Sequence, residues 1–314
     1  MPIVENSYKF IVNPVSGQGA GKLALPELDR IAQALSLSYE IICTEYPGHA
    51  IELAEQAVCE HFAYVISVGG DGTSNEVLNG LMRAWKNGYP ETTMGILGVG
   101  RGNDFAFGFG ISAGLEEGFK VIQKNQPRPI DVGLIVGGDF PQGRYFGNGV
   151  GIGFDAVVGF EAAKLTHLHG FTNYIVAALR TIFLFFHAPM LQIEYDQSVI
   201  TQPALMVSIM NGRRMGGGFM MAPNALTDDG LLDICIAGQV SRMGILMLIP
   251  QFMKGTQASH PQVKTCRAAK IRIQAIEGIL PVHADGETIC EAGKEVTIEL
   301  IKQPLKILCG YSDT

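Results

Sequence analysis

An apolar run ending in Gly-Gly-Asp-Gly-Thr, Val68-Gly69-Gly70-Asp71-Gly72-Thr73-Ser74-Asn75-Glu76, concentrates more potential chemistry than any other part of the chain. Residues 64–68 have the composition of a buried parallel strand, and Val77, Leu78, Leu81, Met82 and Trp85 recur at helical spacing beyond the turn. A strand that hands glycines to a helix start brings backbone N–H groups and the positive end of the helix dipole to one point, where the phosphates of a nucleotide would sit. Asp71 is the odd residue in such a site. Its carboxylate would repel phosphate unless a cation or a hydroxyl lay between, which suggests a Mg2+-holding or proton-relay role. An ordinary glycine turn with an aspartate helix cap is the simpler alternative.

Other glycine-rich segments fail the motifs they imitate. Ser16-Gly17-Gln18-Gly19-Ala20-Gly21-Lys22-Leu23 puts serine at the first glycine position of a P-loop and leucine where Mg2+ needs a hydroxyl. Gly98-Val99-Gly100-Arg101-Gly102 and Gly149-Val150-Gly151-Ile152-Gly153 lack the third-glycine spacing of a dinucleotide fingerprint. Gly108-Phe109-Gly110-Ile111-Ser112-Ala113 has that spacing, but residues 104–107 before it make a poor parallel strand, which argues against a Rossmann dehydrogenase. Local sequence reads Asp228-Asp229-Gly230 as a hairpin turn. His167 and His169, two apart and without Cys or Asp company, read as surface or capping residues, and His49 as the cap of the helix that follows it.

The elements that must position Asp71 alternate strand and helix over the first third. Strands are expected at residues 8–12, 39–44, 64–68 and 93–97, with Leu28, Ile31, Ala32 and Leu35 marking one intervening helix and Leu53, Ala54, Ala57 and Val58 another. That order implies a parallel sheet with crossover helices and ligands at the carboxyl ends of the strands. After about residue 135 the period changes. Apart from a helical stretch near 155–186, short alternating segments prevail, at 190–195, 204–210, 231–237, 270–274, 279–284 and 295–300, and these predict a mostly antiparallel second domain.

Composition bounds the function. The net charge of −7 argues against a general nucleic-acid binder, so no nucleic-acid partner is expected. Six scattered cysteines without a Cys-x-x-Cys pair read as reduced thiols rather than disulfides or zinc ligands. The N-terminus has no basic segment followed by an apolar run, so a cytoplasmic protein is expected. The most lipid-like stretch, residues 174–187, is interrupted by Arg180 and His187 and is shorter than the ~20 apolar residues of a spanning helix. It reads as a buried helix, or as a surface that touches a membrane transiently.

Seven segments in order resemble the diacylglycerol kinase catalytic-domain family, which includes bacterial lipid kinases and sphingosine and ceramide kinases and is distantly similar to NAD kinase. They are Asn13-Pro14-Val15-Ser16-Gly17, Thr44-Glu45-Tyr46-Pro47-Gly48-His49-Ala50, Gly69-Gly70-Asp71-Gly72-Thr73, Gly102-Asn103-Asp104-Phe105-Ala106, Gly151-Ile152-Gly153-Phe154-Asp155-Ala156, Asp228-Asp229-Gly230-Leu231-Leu232-Asp233 and Asp285-Gly286-Glu287. The resemblance implies an α/β plus β fold: a Rossmann-like parallel nucleotide-binding domain over residues 1–135, to which 300–314 returns, and a lipid-binding antiparallel β-sandwich over 136–299.

It also implies ATP-dependent phosphorylation of a lipid alcohol, with Mg2+ and ATP as cofactor and co-substrate. Asn13, Pro14, Val15, Ser16 and Gly17 with Gly70, Asp71, Gly72, Thr73, Ser74, Asn75 and Glu76 would cradle the ATP phosphates, and Thr44 would line the nucleotide site. Asp71 would organise the catalytic Mg2+, and Glu287 would be the general base. The carbonyls of Leu226 and Leu231 and the carboxylate of Asp229 would hold a structural Mg2+, an all-oxygen set suited to a hard cation. One departure stands out: the family pattern Leu-Pro-x-Gly-Thr-x-Asn-Asp-Phe is here Leu97-Gly98-Val99-Gly100-Arg101-Gly102-Asn103-Asp104-Phe105. Arg101 then either binds a phosphate or pairs with Asp104. The expected partners are ATP and a lipid alcohol, with localisation in the cytoplasm or at the inner face of a membrane, and a homodimer is compatible with the sequence. An NAD kinase-like enzyme, which would share Gly-Gly-Asp-Gly, and a nucleotide- or lipid-binding protein without turnover are the alternatives.

Overall fold

The computed structural model describes residues 4–89, 92–100, 102–165, 170–184 and 187–310, and the chain divides into two units, residues 1–131 with 302–314 and residues 132–301. The first unit begins β1 (Val4–Val12), α1 (Ser16–Ala34), β2 (Ser38–Cys43), α2 (His49–Cys59), β3 (Phe62–Gly69), α3 (Asp71–Lys86), β4 (Thr93–Gly98), α4 (Asp104–Gly108), α5 (Leu115–Lys124) and β5 (Pro127–Gly137). The strands pair in the order β2-β1-β3-β4, all parallel. Phe10, Ile11 and Val12 of β1 and Val65, Ile66 and Val68 of β3 are fully buried. These near-continuous apolar runs are what a sheet covered on both faces requires.

The second unit continues β6 (Phe140–Phe146), β7 (Gly149–Gly153), α6 (Phe154–Lys164), α7 (Gly170–Leu184), β8 (Met190–Tyr195), β9 (Ser198–Met210), β10 (Leu232–Gly238), α8 (Arg242–Lys254), β11 (Val263–Ala268), β12 (Lys270–Glu277), β13 (Leu280–Ala284), β14 (Glu287–Gly293) and β15 (Glu295–Leu308). Its ladders are antiparallel. One layer runs β14-β13-β7-β9-β10-β11 and the other β9-β8-β12-β15, so β9 serves both, pairing with β8 through its first half and with β7 and β10 through its second. Ile152, Val207, Ile234, Ile271, Val282 and Ile298 from both layers meet in one core, the interdigitated interior of a β-sandwich. The last part of β15 returns to the first unit, where Lys306 and Ile307 pair in parallel with Thr93 and Met94 of β4.

The helical stretch expected near 155–186 is present as two helices, α6 and α7. Helix α8 has no counterpart in the strand-dominated expectation, because its apolar run carries Pro250 and so resembles neither an amphipathic helix nor an alternating strand. All six cysteines are free thiols, and burial pushes Cys235 up to about 12, leaving it protonated at neutral pH. Among the described residues no helix is long and apolar enough to cross a membrane.

Candidate active site

Three loops of the first unit converge at the carboxyl ends of β1, β3 and β4. Asn13 ties the first two together: its Nδ2 donates to Thr73 Oγ1 at 3.1 Å, while its Oδ1 accepts from the Val15 N–H at 3.2 Å. The third loop joins through the Val99 N–H, which donates to the Gly69 carbonyl at 2.9 Å. Backbones meet so closely here that side chains are excluded: a Cβ on Gly100 would lie 2.3 Å from the Gly70 Cα, and one on Gly17 would lie 2.4 Å from the Val99 carbonyl oxygen. Gly17, Gln18 and Gly19 all take positive φ, at 57°, 61° and 95°, so the regular part of α1 begins only after a glycine turn. Turns of this kind present backbone N–H groups to an anion.

Asp71 opens α3, and its Oδ1 accepts from the Phe105 N–H at 2.9 Å. A Cβ on Gly102 would fall 2.8 Å from Asp71 Oδ2 and 3.5 Å from Asp104 Oδ2, so the two carboxylates flank a space that glycine keeps open. Two carboxylates, with substrate phosphates and water completing the octahedron, are a common Mg2+ donor set, and the chemistry of this oxygen pair fits that ion. Among the described residues no group of three or more His, Cys, Asp or Glu side chains is arranged to hold a metal unaided.

Three other residues of the expected phosphate cradle make hydrogen bonds within the first unit. Ser74 turns inward to share a 3.0 Å hydrogen bond with Ser67, and the fully buried Asn75 accepts from Asn79 at 3.1 Å. Glu76 accepts from the Gly48 and Ala50 N–H groups at 2.9 and 3.2 Å, fixing the start of α2. It thereby anchors the segment that follows Thr44, whose own N–H donates to the Val12 carbonyl. Gly72 lies in the first turn of α3, and Pro14, whose carbonyl accepts from the Lys22 N–H, in the first loop with exposed Val15 and with Ser16. Arg101, His167 and His169 lie outside the described residues.

In the second unit Glu287 is the first residue of β14, directly after a two-residue turn between β13 and β14. Asp285 and Gly286 take φ of 48° and 86°, the pair of positive values that makes an Asp-Gly hairpin turn. The buried Asp285 carboxylate clamps this turn, with Oδ2 accepting from the Gly147 N–H at 2.8 Å and Oδ1 from the Asn148 and Gly149 N–H groups at 3.0 and 2.8 Å. Glu287 faces the buried Arg144 guanidinium at 3.7 Å, and Arg144 lies over the Phe140 ring. The two groups lie within ion-pair distance of each other. Sequence reasoning missed Arg144, which carries no local motif.

The expected structural metal site shows a different arrangement. Asp229 Oδ1 accepts from the Leu231 N–H at 3.1 Å, and Oδ2 accepts from the Arg267 guanidinium, which also reaches Asp233 at 3.4 Å. Burial pushes the Asp233 carboxyl up, with Arg267 opposing that shift. Leu226 is exposed. Both oxygens of Asp229 accept hydrogen bonds here, so a cation bound by this carboxylate would have to displace Arg267.

Comparison with known proteins agrees with these two units. Residues 7–135 match the diacylglycerol kinase catalytic domain, and residues 148–309 match the YegS C-terminal NAD kinase beta sandwich-like domain. The chain is 29% identical over 289 residues to a Mycobacterium tuberculosis diacylglycerol kinase, covering 91% of this chain and 90% of that protein. A Staphylococcus aureus diacylglycerol kinase is 30% identical over 284 residues, 89% of this chain and 85% of the other. The fold is that of a Bacillus anthracis diacylglycerol kinase crystal structure, with a TM-score of 0.71 at 24% identity over 97% of both chains. More distantly it is that of yeast NADH kinase, with a TM-score of 0.53 at 12% identity over 100% of this chain and 84% of the other. With one family model on each unit and a 30% identical relative spanning most of both chains, the chain belongs to the diacylglycerol kinase catalytic-domain family and is a lipid kinase by that membership.

Proposed function

We infer that the protein transfers the γ-phosphoryl group of ATP to the hydroxyl of a lipid of the diacylglycerol type, the acceptor phosphorylated by the relatives named above, with Glu287 as general base. The observation that carries this reading is the hairpin at Asp285 to Glu287, where a clamped turn holds one carboxylate in place, 3.7 Å from the Arg144 guanidinium. Phosphoryl transfer asks a protein mainly for positioning and charge stabilisation. The glycine turns at residues 17–19 and 69–72 would supply backbone N–H groups to the phosphates, and Asn13 and Thr73 would hold those turns in register. Asp71 and Asp104 would hold Mg2+, which when bound offsets the charge that develops between the β- and γ-phosphates. In the reaction the lipid oxygen forms a bond to the γ-phosphorus as the bond to the β,γ-bridging oxygen breaks. The electron pair leaves with ADP, and the hydroxyl proton passes to Glu287.

Glu287→Gln keeps the shape of the side chain but cannot take the proton. General-base catalysis supplies about 10²–10⁴-fold, so kcat should fall within that range while ATP affinity, measured by calorimetry, stays near that of the wild type. Retention of more than half of kcat, with chemistry rate-limiting, would assign the base to another carboxylate.

A further inference from the structure

Helices α7 and α8 of the second unit bury one face each in a common cluster, through Ile182 on the first and Ile245 and Phe252 on the second. Their opposite faces stand in solvent. Phe183 is 75% exposed, Leu184 64%, Met243 64% and Met247 61%, and Leu179 and Met253 are exposed beside them. The two faces adjoin, because the Arg242 guanidinium lies 5.7 Å from the centre of the Phe183 ring. Single exposed apolar side chains are ordinary, whereas a group of large ones on two touching helices marks an interaction site.

Charge identifies the occupant. The chain carries a net −7, yet neither helix contains an Asp or Glu, and their only charged residues, Arg180, Arg242 and Lys254, are all exposed. The two helices are thus cationic in an otherwise acidic chain. A second copy packed face to face would set these three cations against their own counterparts, and an apolar peptide would offer them no counter-charge. An anionic lipid leaflet matches both features, since Phe, Leu and Met would enter the headgroup boundary while Arg and Lys meet the phosphates. Neither helix is long enough to span a bilayer, so the contact is one of helices lying in the surface plane.

We propose that the α7–α8 face docks the protein on an anionic bilayer, the phase in which a lipid acceptor resides. This rests on the lipid-hydroxyl reading above, and its test needs neither ATP nor turnover. The full chain is sedimented with large unilamellar vesicles of phosphatidylcholine, with and without phosphatidylglycerol, at low and high salt. The wild type should partition onto the phosphatidylglycerol vesicles and release with salt. Arg180→Glu with Arg242→Glu should lower that partition by about tenfold or more at low salt. Phe183→Ser with Met247→Ser should lower it at every salt concentration, with circular dichroism melts showing both variants folded. Equal partition of wild type and variants overturns the proposal, as does indifference to phosphatidylglycerol. A wild-type dimer that Phe183→Ser disperses would assign the face to a second copy instead. A protein that docks but phosphorylates no lipid would sink the proposed function and leave this inference standing.

Discussion

Replacing Asp285 tests whether one carboxylate holds the turn that aims Glu287. Three backbone N–H groups, those of Gly147, Asn148 and Gly149, donate to it at 2.8, 3.0 and 2.8 Å inside the protein. Each buried donor left without a partner costs about 1–3 kcal/mol, so Asp285→Ala has a ceiling of about 3–9 kcal/mol. Water admitted by the smaller side chain recovers part of that, and single substitutions rarely cost more than about 4–5 kcal/mol, which brings the expectation to about 3–5 kcal/mol. For a unit of this size each kcal/mol moves the midpoint by about 2–4 °C, so Tm should fall by about 6–20 °C. Asp285→Asn is the finer instrument. Its carbonyl can replace Oδ1 for Asn148 and Gly149, while its amide faces the Gly147 N–H donor to donor, so about 1–3 kcal/mol is lost and the fold is kept. Because the residue acts through Glu287, kcat should fall while the KM for ATP does not. Thermal melts and steady-state kinetics on the asparagine variant decide the matter. A Tm within about 1 °C of wild type with full kcat would refute the clamp, since a 1 kcal/mol loss alone exceeds that shift.

Two further outcomes bear on cations. Gly102→Ala would put a methyl group 2.8 Å from Asp71 Oδ2, so the KM for MgATP should rise about tenfold, the equivalent of about 1.4 kcal/mol, and an unchanged value would remove the Asp71–Asp104 pair from the metal site. Arg267→Gln should strip Asp229 of its guanidinium, lower Tm slightly and make Tm rise with added Mg2+ where the wild type does not respond. A wild-type Tm that already climbs with Mg2+ would restore the metal reading of the Asp229 loop.

The parallel half of the fold was legible because residues 64–68 and 93–97 are apolar runs that need both faces covered, and the glycines after them end each strand. Side-chain direction was not legible. Ser74, Asn75 and Glu76 follow Asp71 in one motif, but each residue of a helix is rotated by about 100° from the last, and these three find their hydrogen-bond partners in three different places in the first unit. The Asp-Gly pair announced its turn through local backbone preference, whereas the clamp partners of Asp285 lie 136 to 138 positions away, beyond any local pattern. Arg144 escaped for the same reason, as its relation to Glu287 exists only once β6 and β14 are folded. In the Asp229 loop the motif residues are in place, and the ion pair of Asp229 with Arg267 is the part that no local pattern announced.

The return of β15 to β4 sets a schedule for biosynthesis. Thr93 and Met94 leave the ribosome roughly 200 residues before Lys306 and Ile307, their partners on that side of the sheet, and at about 5–20 residues per second the wait is about 10–40 s. Throughout it the nascent first unit carries an uncovered strand edge with an apolar side chain, the kind of template on which chains join one another. Yield in a heterologous host should therefore follow translation speed and chaperone supply more closely than the equilibrium stability of the finished protein, and stalling late in the message should be more harmful than stalling early.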